Sequence, residues 1–223
     1  MIFADKALMP TGWADNVRIE MSEGLVSAIE AETVPQSGDT RVAALVPGMP
    51  NAHSHAFQRG HAGLTEIRGA GRESFWTWRE MMYRFALSVS PDDVGALAEM
   101  AYVEMLEAGY TRVGEFHYLH HAPDGAPYDN LAELSDRIFS AAERTGIALT
   151  HLPVFYAHGG FGPQAPADGQ RRFLNSVDRF VELVQRCDER KTRPQDRVGF
   201  APHSLRAASH DDLNRLREAL PRR

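Results

Sequence analysis

The chain has 223 residues, and 24 lysines and arginines against 30 aspartates and glutamates give it a net charge of −6. This acidic balance argues against nucleic acid or an anionic membrane as the main partner. The N-terminus lacks the pattern of a signal peptide, and no window approaches the roughly 18 apolar residues of a membrane span. The single cysteine, Cys187, cannot form an internal disulfide and is expected to lie inertly on a helix. We therefore expect a cytoplasmic protein.

The first 46 residues are predicted to form a small β-rich domain. Short runs with rough alternation of apolar and polar residues occur at Ile2–Ala7, Val17–Met21 and Leu25–Glu30. Turn-forming residues such as Pro10-Thr11-Gly12 lie between these runs. Three short strands cannot bury two faces, so we expect this domain to pack against the rest of the chain.

A pair of histidines at the end of an apolar run is the strongest functional signal. In Leu45–Gln58, LVPGMPNAHSHAFQ, the pair His53 and His55 follows Pro47-Gly48. If Met49–His55 is extended, residues i and i+2 share a face and the two imidazoles project together. Two converging neutral imidazoles form half of a zinc-type site. Alternatively, one histidine caps a turn and the other is solvated in a loop.

Helices and strands alternate after this pair. Ser90-Pro91-Asp92-Asp93 has the composition of a helix start, and Gly109 and Gly146 are predicted to end helices. Four short apolar strands joined by helices are typical of parallel βα units. The predicted elements are a loop at Arg59–Gly71, helices at Ser74–Leu87 and from Ser90 to about Ala108, a strand at Thr111–His117, a helix from about Asn130 to Thr145, a strand at Ile147–Tyr156, a loop at Ala157–Ala167, a helix at Gln170–Glu189, a strand at Val198–Ala201 and a helix at Ser209–Leu220.

Polar residues follow the C-terminal ends of the predicted strands. A (β/α)₈ barrel and an open doubly wound sheet both fit four such units, and barrel enzymes place their active sites at this end of the strands. No glycine-rich dinucleotide or phosphate loop follows a strand, which disfavours the doubly wound nucleotide binder. The aromatic helix Ser74–Leu87 either packs in the core or walls a pocket, with Arg79 or Arg84 as its charged member. The residues at the strand ends are His53, His55, His117, Tyr118, His158, His203 and Arg206.

Four segments carry a resemblance to a known family. GMPNAHSHAFQRGHAG resembles the first barrel strand of the amidohydrolase superfamily. Together with SFWTWREMMY, GEFHYLHH and APHSLRA, in that order, it resembles the formimidoylglutamate deiminase family. The resemblance covers nearly the whole chain.

The resemblance implies an α/β fold: a metal-dependent amidohydrolase (β/α)₈ TIM-like barrel with a small N-terminal β-sandwich portion. Residues 1–46 would then be part of a composite β-sandwich, and residues 47–223 would be the first four βα units of the barrel. It also implies one Zn²⁺ ion per complete subunit, with His53 and His55 as its first two ligands. A homodimer is common in this superfamily.

The same resemblance assigns the substrate-binding positions to Gln58, Arg79, Tyr118, His203 and Arg206. N-formimino-L-glutamate carries two carboxylates, which two arginines and a tyrosine hydroxyl can bind. His203 is suited to orient or polarise the formimino group and is the predicted catalytic residue. If the resemblance is set aside, Arg79 and Arg206 are interpreted as members of surface ion pairs. Tyr118 is then interpreted as an aromatic side chain at the rim of the barrel. His117, His120 and His121 are expected to be loop or rim residues.

The implied reaction is hydrolysis of the formimino C–N bond to N-formyl-L-glutamate and ammonia, a step of histidine degradation. The zinc ion would make hydroxide available near neutral pH. The family's remaining metal ligands and acid–base residues have no counterpart here. The sequence therefore predicts a truncated chain that alone is inactive and is unstable, aggregates or needs a partner.

Two alternatives stay open. One is another amidohydrolase deaminase, acting on a nucleobase such as guanine or cytosine. Arg79 and Arg206 argue against it, because such substrates lack two carboxylates. The other is a non-catalytic interaction module that kept the fold and lost the chemistry.

Overall fold

The computed structural model describes residues 1–64 and 74–220. The chain divides into two compact units, Met1–Gly48 and Met49–Arg223. Within the described ranges, no helix has both the length and the apolar composition needed to cross a bilayer.

The N-terminal unit is a four-stranded sheet within the described residues. Its strands are β1 (Ile2–Met9), β2 (Gly12–Ser22), β3 (Leu25–Glu30) and β4 (Thr40–Leu45) in the order β3-β2-β1-β4. β1, β2 and β3 pair antiparallel and correspond to the three predicted strands, whereas β4 was not predicted. β4 lies parallel to β1, so the sequence contains no hairpin turn that would predict this pairing.

The second unit contains a parallel sheet, as predicted. Its strands are β5 (Met49–Ser54), β6 (Tyr110–His117), β7 (Ala148–Phe155), β8 (Arg197–Val198) and β9 (Ala201–Pro202). The order is β5-β6-β7-β8, and β9 also pairs with β7. The predicted fourth strand, Val198–Ala201, is therefore two short strands rather than one. Polar residues at the C-terminal ends of β5, β6 and β9 consequently meet at one edge of the sheet.

The helices of this unit follow one another along the chain in the order in which they were predicted. They are α1 (Phe75–Ser88), α2 (Pro91–Glu107), α3 (Glu133–Thr145), α4 (Val177–Arg190) and α5 (His210–Ala219). Ser90 and Asp93 form a capping box at the start of α2, and Ser209 and Asp212 form one at the start of α5. Gly146 ends α3 with a φ of 86°, a conformation that favours glycine.

Two predicted boundaries were wrong. The predicted helix Gln170–Glu189 begins only at Val177, because Ser176 caps α4 and a separate 3₁₀ helix occupies Asp168–Gln170. The predicted loop Arg59–Gly71 starts inside a 3₁₀ helix, Ala56–His61. The part of that loop from residue 65 onward lies outside the described residues.

The core fills the space between the sheet and the helices, and it contains more histidine than expected. His117 ends β6, and His120 and His121 follow it outside any strand or helix, as predicted. All three are nevertheless buried, at 0%, 1% and 1% exposure, which was not predicted. Side chains alternate along β6, so His117 points away from the face on which Phe116 lies. His120 and His121 donate from Nε2 to the backbone oxygens of Val154 and Leu174. These three rings thus belong to the core.

Candidate active site

One cavity of about 330 Å³ gathers all seven predicted site residues. Small-molecule sites usually occupy roughly 300 to 1,000 Å³, so the cavity can hold a small ligand. It opens where the parallel strands end. The predicted residues that line it are His53, His55, Gln58, Arg79, Tyr118, His203 and Arg206.

The geometry of the histidine pair suits a metal ion. The Nε2 atoms of His53 and His55 lie 3.0 Å apart, so both can lie about 2.0 to 2.1 Å from one ion. His55 Nδ1 donates to the backbone oxygen of Phe116 over 2.9 Å, which leaves the Nε2 lone pair for a ligand bond. Burial lowers the pKa of His55, and the neighbouring His53 lowers it further.

A buried carboxyl group holds the backbone beside His55. Glu115 on β6 is fully buried, and its Oε1 accepts a hydrogen bond of 2.8 Å from the Ala56 amide. Burial raises the pKa of Glu115 to about 7, although the hydrogen bonds from Ala56 and Ser54 act in the opposite direction. Gly114 lets β5 approach closely, because a Cβ there would lie 2.9 Å from the Ala52 oxygen.

The donor atoms of the histidine pair fit a divalent metal, but they do not complete a site. Structural and catalytic zinc sites use three or four protein ligands. In residues 1–64 and 74–220, no group of three or more His, Cys, Asp or Glu side chains is arranged to hold an ion.

Gln58 and Tyr118 form a hydrogen-bonded pair beside the histidines. Gln58 Nε2 donates to the Tyr118 hydroxyl oxygen, and the Tyr118 hydroxyl itself donates to Met82 Sδ over 3.8 Å. The Tyr118 ring is buried and lies edge-on to His55, at 5.2 Å between ring centroids. Burial raises the pKa of Tyr118 beyond its usual range, so its hydroxyl stays protonated near neutral pH.

His203 lies among aromatic rings in the same cavity. Its ring centroid is 4.6 Å from that of Tyr156 and 5.6 Å from that of Tyr118. Its Nδ1 is 3.3 Å from Ser204 Oγ, which leaves Nε2 for a substrate group. Burial is the main cause that lowers the pKa of His203 to about 4, and the charges of His55 and Arg206 add to it. His203 is therefore a neutral imidazole at pH 7.

The two predicted arginines supply positive charge to the cavity. Arg79, half-buried on α1, has its Cζ 5.6 Å from the centre of the Tyr83 ring, within the range of a cation–π contact. Arg206 is exposed on the segment that follows His203. In the described part of the chain, Arg206 forms no ion pair with an acid. Arg84, the other arginine considered on α1, is exposed and is not among the lining residues.

His158, also predicted from the strand ends, does not line the cavity. Its Nε2 is 2.8 Å from Asp212 Oδ2, and this pair ties the segment after β7 to the start of α5. Sequence reasoning missed Tyr156, which lines the cavity immediately after β7. The signal was available, because Tyr156 occupies the same position after its strand as Tyr118 does after β6.

A larger groove of about 1010 Å³ lies elsewhere, between β7, β8 and α5. Its lining includes Leu152, Val184 and Phe200, with Arg197, Arg217 and Glu218 as the charged members. The smaller cavity remains the candidate site, since it holds the histidine pair and the two arginines together.

The chain is similar to known proteins over most of its length. The family model for the N-terminal domain of formimidoylglutamate deiminase HutF matches residues 1–43. Formimidoylglutamate deiminase of Pseudomonas aeruginosa is 48% identical over 95% of this chain and 49% of its own length. The chain is similar to formimidoylglutamate deiminase over nearly its whole length. It spans about half the length of the curated relatives it matches.

Solved structures support the fold. The crystal structure of an amidohydrolase from Brucella melitensis is 52% identical, with a TM-score of 0.95, over 99% of this chain and 49% of that one. A triazine hydrolase from Arthobacter aurescens is 17% identical with a TM-score of 0.74, which shows a shared fold. The predicted resemblance and the predicted fold class, a partial amidohydrolase barrel with an N-terminal β portion, are both confirmed.

Proposed function

We propose that this chain carries part of the active site of an enzyme that hydrolyses the formimino C–N bond of N-formimino-L-glutamate. The products are N-formyl-L-glutamate and ammonia, and the reaction belongs to histidine degradation in the cytoplasm. One observation carries the proposal: the convergent imidazoles of His53 and His55 share a cavity with Arg79 and Arg206. The name and 48% identity of the P. aeruginosa relative support the same substrate.

The chemistry of the lining matches that substrate. A dicarboxylate needs two cationic partners in the same cavity, and guanidinium groups bind carboxylates through charge-assisted hydrogen bonds. Arg79 and Arg206 take that role in the proposal. The Tyr118 hydroxyl adds a neutral donor, which Gln58 holds in place and which would exchange its weak hydrogen bond to Met82 Sδ for one to the substrate.

The formimino group would lie near His203 and the histidine pair. A divalent cation held by His53 and His55 would lower the pKa of a water molecule and supply a nucleophile at neutral pH. We infer that this cation is Zn²⁺, and an atrazine chlorohydrolase from A. aurescens with the same fold was solved with zinc. The neutral His203 imidazole, with one N–H, can orient the formimino nitrogen by a hydrogen bond. The formimino carbon gains an oxygen and loses its terminal nitrogen as ammonia.

A deaminase of nucleobases is the competing function. A guanine deaminase from C. acetobutylicum has the same fold at 12% identity, and a 5-methylthioadenosine/S-adenosylhomocysteine deaminase from Haloquadratum walsbyi is 23% identical over 89% of this chain. Arg79 and Arg206 favour the dicarboxylate, because an uncharged purine gives two guanidinium groups no anionic partner.

The test uses an extended chain, defined as residues 1–223 joined to the remaining half of the P. aeruginosa relative. We expect ammonia release from N-formimino-L-glutamate and none above background from guanine or cytosine. Arg79→Met and Arg206→Met should each raise KM about 10- to 100-fold through the loss of charge-assisted bonds. Arg186→Met, at an exposed arginine of α4, is the matched control and should leave KM unchanged.

Two outcomes would contradict the proposal. Turnover of a nucleobase in place of N-formimino-L-glutamate would favour the competing deaminase. Metal binding without turnover of any of these substrates would favour a non-catalytic module. The homodimer expected from the superfamily stays a prediction, and size-exclusion chromatography with light scattering on the extended chain tests it.

A further inference from the structure

Two tyrosines that the proposed function does not use connect Arg79 to His203. Tyr83 on α1 lies under the Arg79 guanidinium, and Tyr156 after β7 packs against the His203 ring at 4.6 Å between centroids. Both tyrosines line the cavity. Burial raises the pKa of Tyr156, and the neighbouring Tyr83 phenol raises it further. The pair therefore spans the cavity between the positive group and the imidazole.

The orientation of the Gln170 side-chain amide determines whether the Tyr156 hydroxyl donates to Gln170 or accepts from it. Gln170 is buried, and its Oε1 accepts a hydrogen bond of 2.7 Å from the Ala167 amide. Its Nε2 must therefore be the atom that lies 2.5 Å from the Tyr156 oxygen, and an amide nitrogen can only donate. Gln170 therefore does not accept a hydrogen bond from Tyr156. The Tyr156 hydroxyl therefore keeps a proton that it can donate.

The neighbouring packing holds the pair in this arrangement. Gly169 leaves room for Tyr83, because a Cβ there would lie 2.7 Å from the Tyr83 ring. The buried Phe173 ring lies 5.9 Å from the Tyr83 ring and 5.8 Å from the Tyr156 ring, between centroids. The 3₁₀ helix Asp168–Gln170 and the residues after it thus set the position of the pair.

Tyr118 is arranged in a similar way against His203. Its phenol oxygen also accepts a hydrogen bond from a glutamine amide, Gln58, and its ring also lies against the His203 ring. We infer that Tyr83 and Tyr156 together are a specificity-determining pair, which donates one O–H hydrogen bond to the substrate carboxylate bound by Arg79. This inference rests on the proposed function and extends it to two residues.

The experiment compares Tyr83→Phe, Tyr156→Phe and the double variant in the extended chain. Each single variant retains one phenol proton, whereas the double variant has none. We expect KM for N-formimino-L-glutamate to rise less than about 3-fold in each single variant and about 10-fold or more in the double variant. The kcat should stay within a few-fold of the parent, because the carboxylate is not at the reacting carbon.

Tyr128→Phe is the matched control. The Tyr128 hydroxyl accepts a hydrogen bond from Arg172 outside the cavity, so its loss should leave KM unchanged. The unfolding temperature of every variant is measured beside its kinetics. A double variant with the KM of the parent, or single variants whose effects multiply to that of the double, would overturn the inference.

If the double variant does not fold, a second pair of variants tests whether a hydrogen-bond donor is needed at this position. Tyr83→Gln and Tyr83→Met are each combined with Tyr156→Phe, since glutamine donates hydrogen bonds and methionine does not. We expect the glutamine variant to have the lower KM, and equal KM values would overturn the inference. Binding of N-formyl-L-glutamate, measured by calorimetry, separates failure of the proposed function from failure of the inference about Tyr83 and Tyr156. A parent that neither binds this product nor releases ammonia refutes the proposed function together with the pair, whereas an active parent with an unaffected double variant refutes the pair alone.

Discussion

Replacing His151 should make the fold less sensitive to acid. His151 is fully buried on β7, where its Nε2 is 3.0 Å from Ser135 Oγ. Its Nδ1 has no hydrogen-bond partner in the described residues. Burial, with a smaller contribution from His120, lowers the pKa of His151 from 6.5 to about 3. The folded protein therefore holds this imidazole neutral over a pH range in which the unfolded chain binds a proton.

The sign and size of the effect follow from that difference. A depressed pKa in the folded state contributes stability above pH 6.5 and loses it as the pH falls toward 3. The slope approaches about 1.4 kcal/mol per pH unit for one site. Between pH 7 and pH 4.5, His151 alone should lower the free energy of unfolding by about 2 to 3 kcal/mol.

Urea unfolding followed by circular dichroism measures this effect in the extended chain. The measured quantity is the free energy of unfolding of His151→Leu minus that of the parent. We expect this difference to increase by about 2 to 3 kcal/mol as the pH falls from 7 to 4.5. His210→Leu, at an exposed histidine of α5, is the matched control and should stay parallel to the parent. Parallel curves for His151→Leu and the parent would refute the account of a buried neutral imidazole.

Three further predictions concern the core, the metal-site strand and the cavity. Arg172→Met should lower the free energy of unfolding by about 3 kcal/mol or more in urea titrations, because the buried guanidinium donates to several backbone oxygens. Gly114→Val should reduce bound metal measured by elemental analysis, since its side chain would displace the strand at Ala52; full metal content would contradict this. Tyr118→Phe should raise KM about 10-fold in the ammonia assay with kcat little changed, and an unchanged KM would remove the residue from the site.

The sequence predicts the barrel half better than the N-terminal unit. Helix starts such as Ser90-Pro91-Asp92-Asp93 carry their own capping chemistry, and the structure places α2 where that pattern predicts. β4 was missed because its partner β1 lies almost forty residues earlier and the pairing is parallel, which leaves no local signal. The fourth barrel strand was predicted as continuous because its interruption at Gly199 depends on tertiary hydrogen bonds to β7.

The cavity could be predicted in part. The spacing of His53 and His55 on an extended strand is enough to bring their nitrogens together, and the structure has them 3.0 Å apart. The position after a predicted strand indicated Arg206, and the aromatic helix left Arg79 and Arg84 open. The family resemblance chose Arg79 and assigned both arginines to substrate binding. His117 could not be assigned to the core from sequence, because an imidazole at a strand end fits a ligand, a rim residue or a buried side chain equally well.

The proposal that His53 and His55 hold the zinc ion needed for turnover is tested by measuring metal content and turnover on the same samples. The extended chain, its His53→Ala/His55→Ala variant and the 223-residue chain are desalted, analysed for zinc and assayed for ammonia release from N-formimino-L-glutamate. We expect about one zinc ion and turnover in the extended chain, and neither in the other two. Zinc and turnover that persist without the two histidines would contradict the proposal.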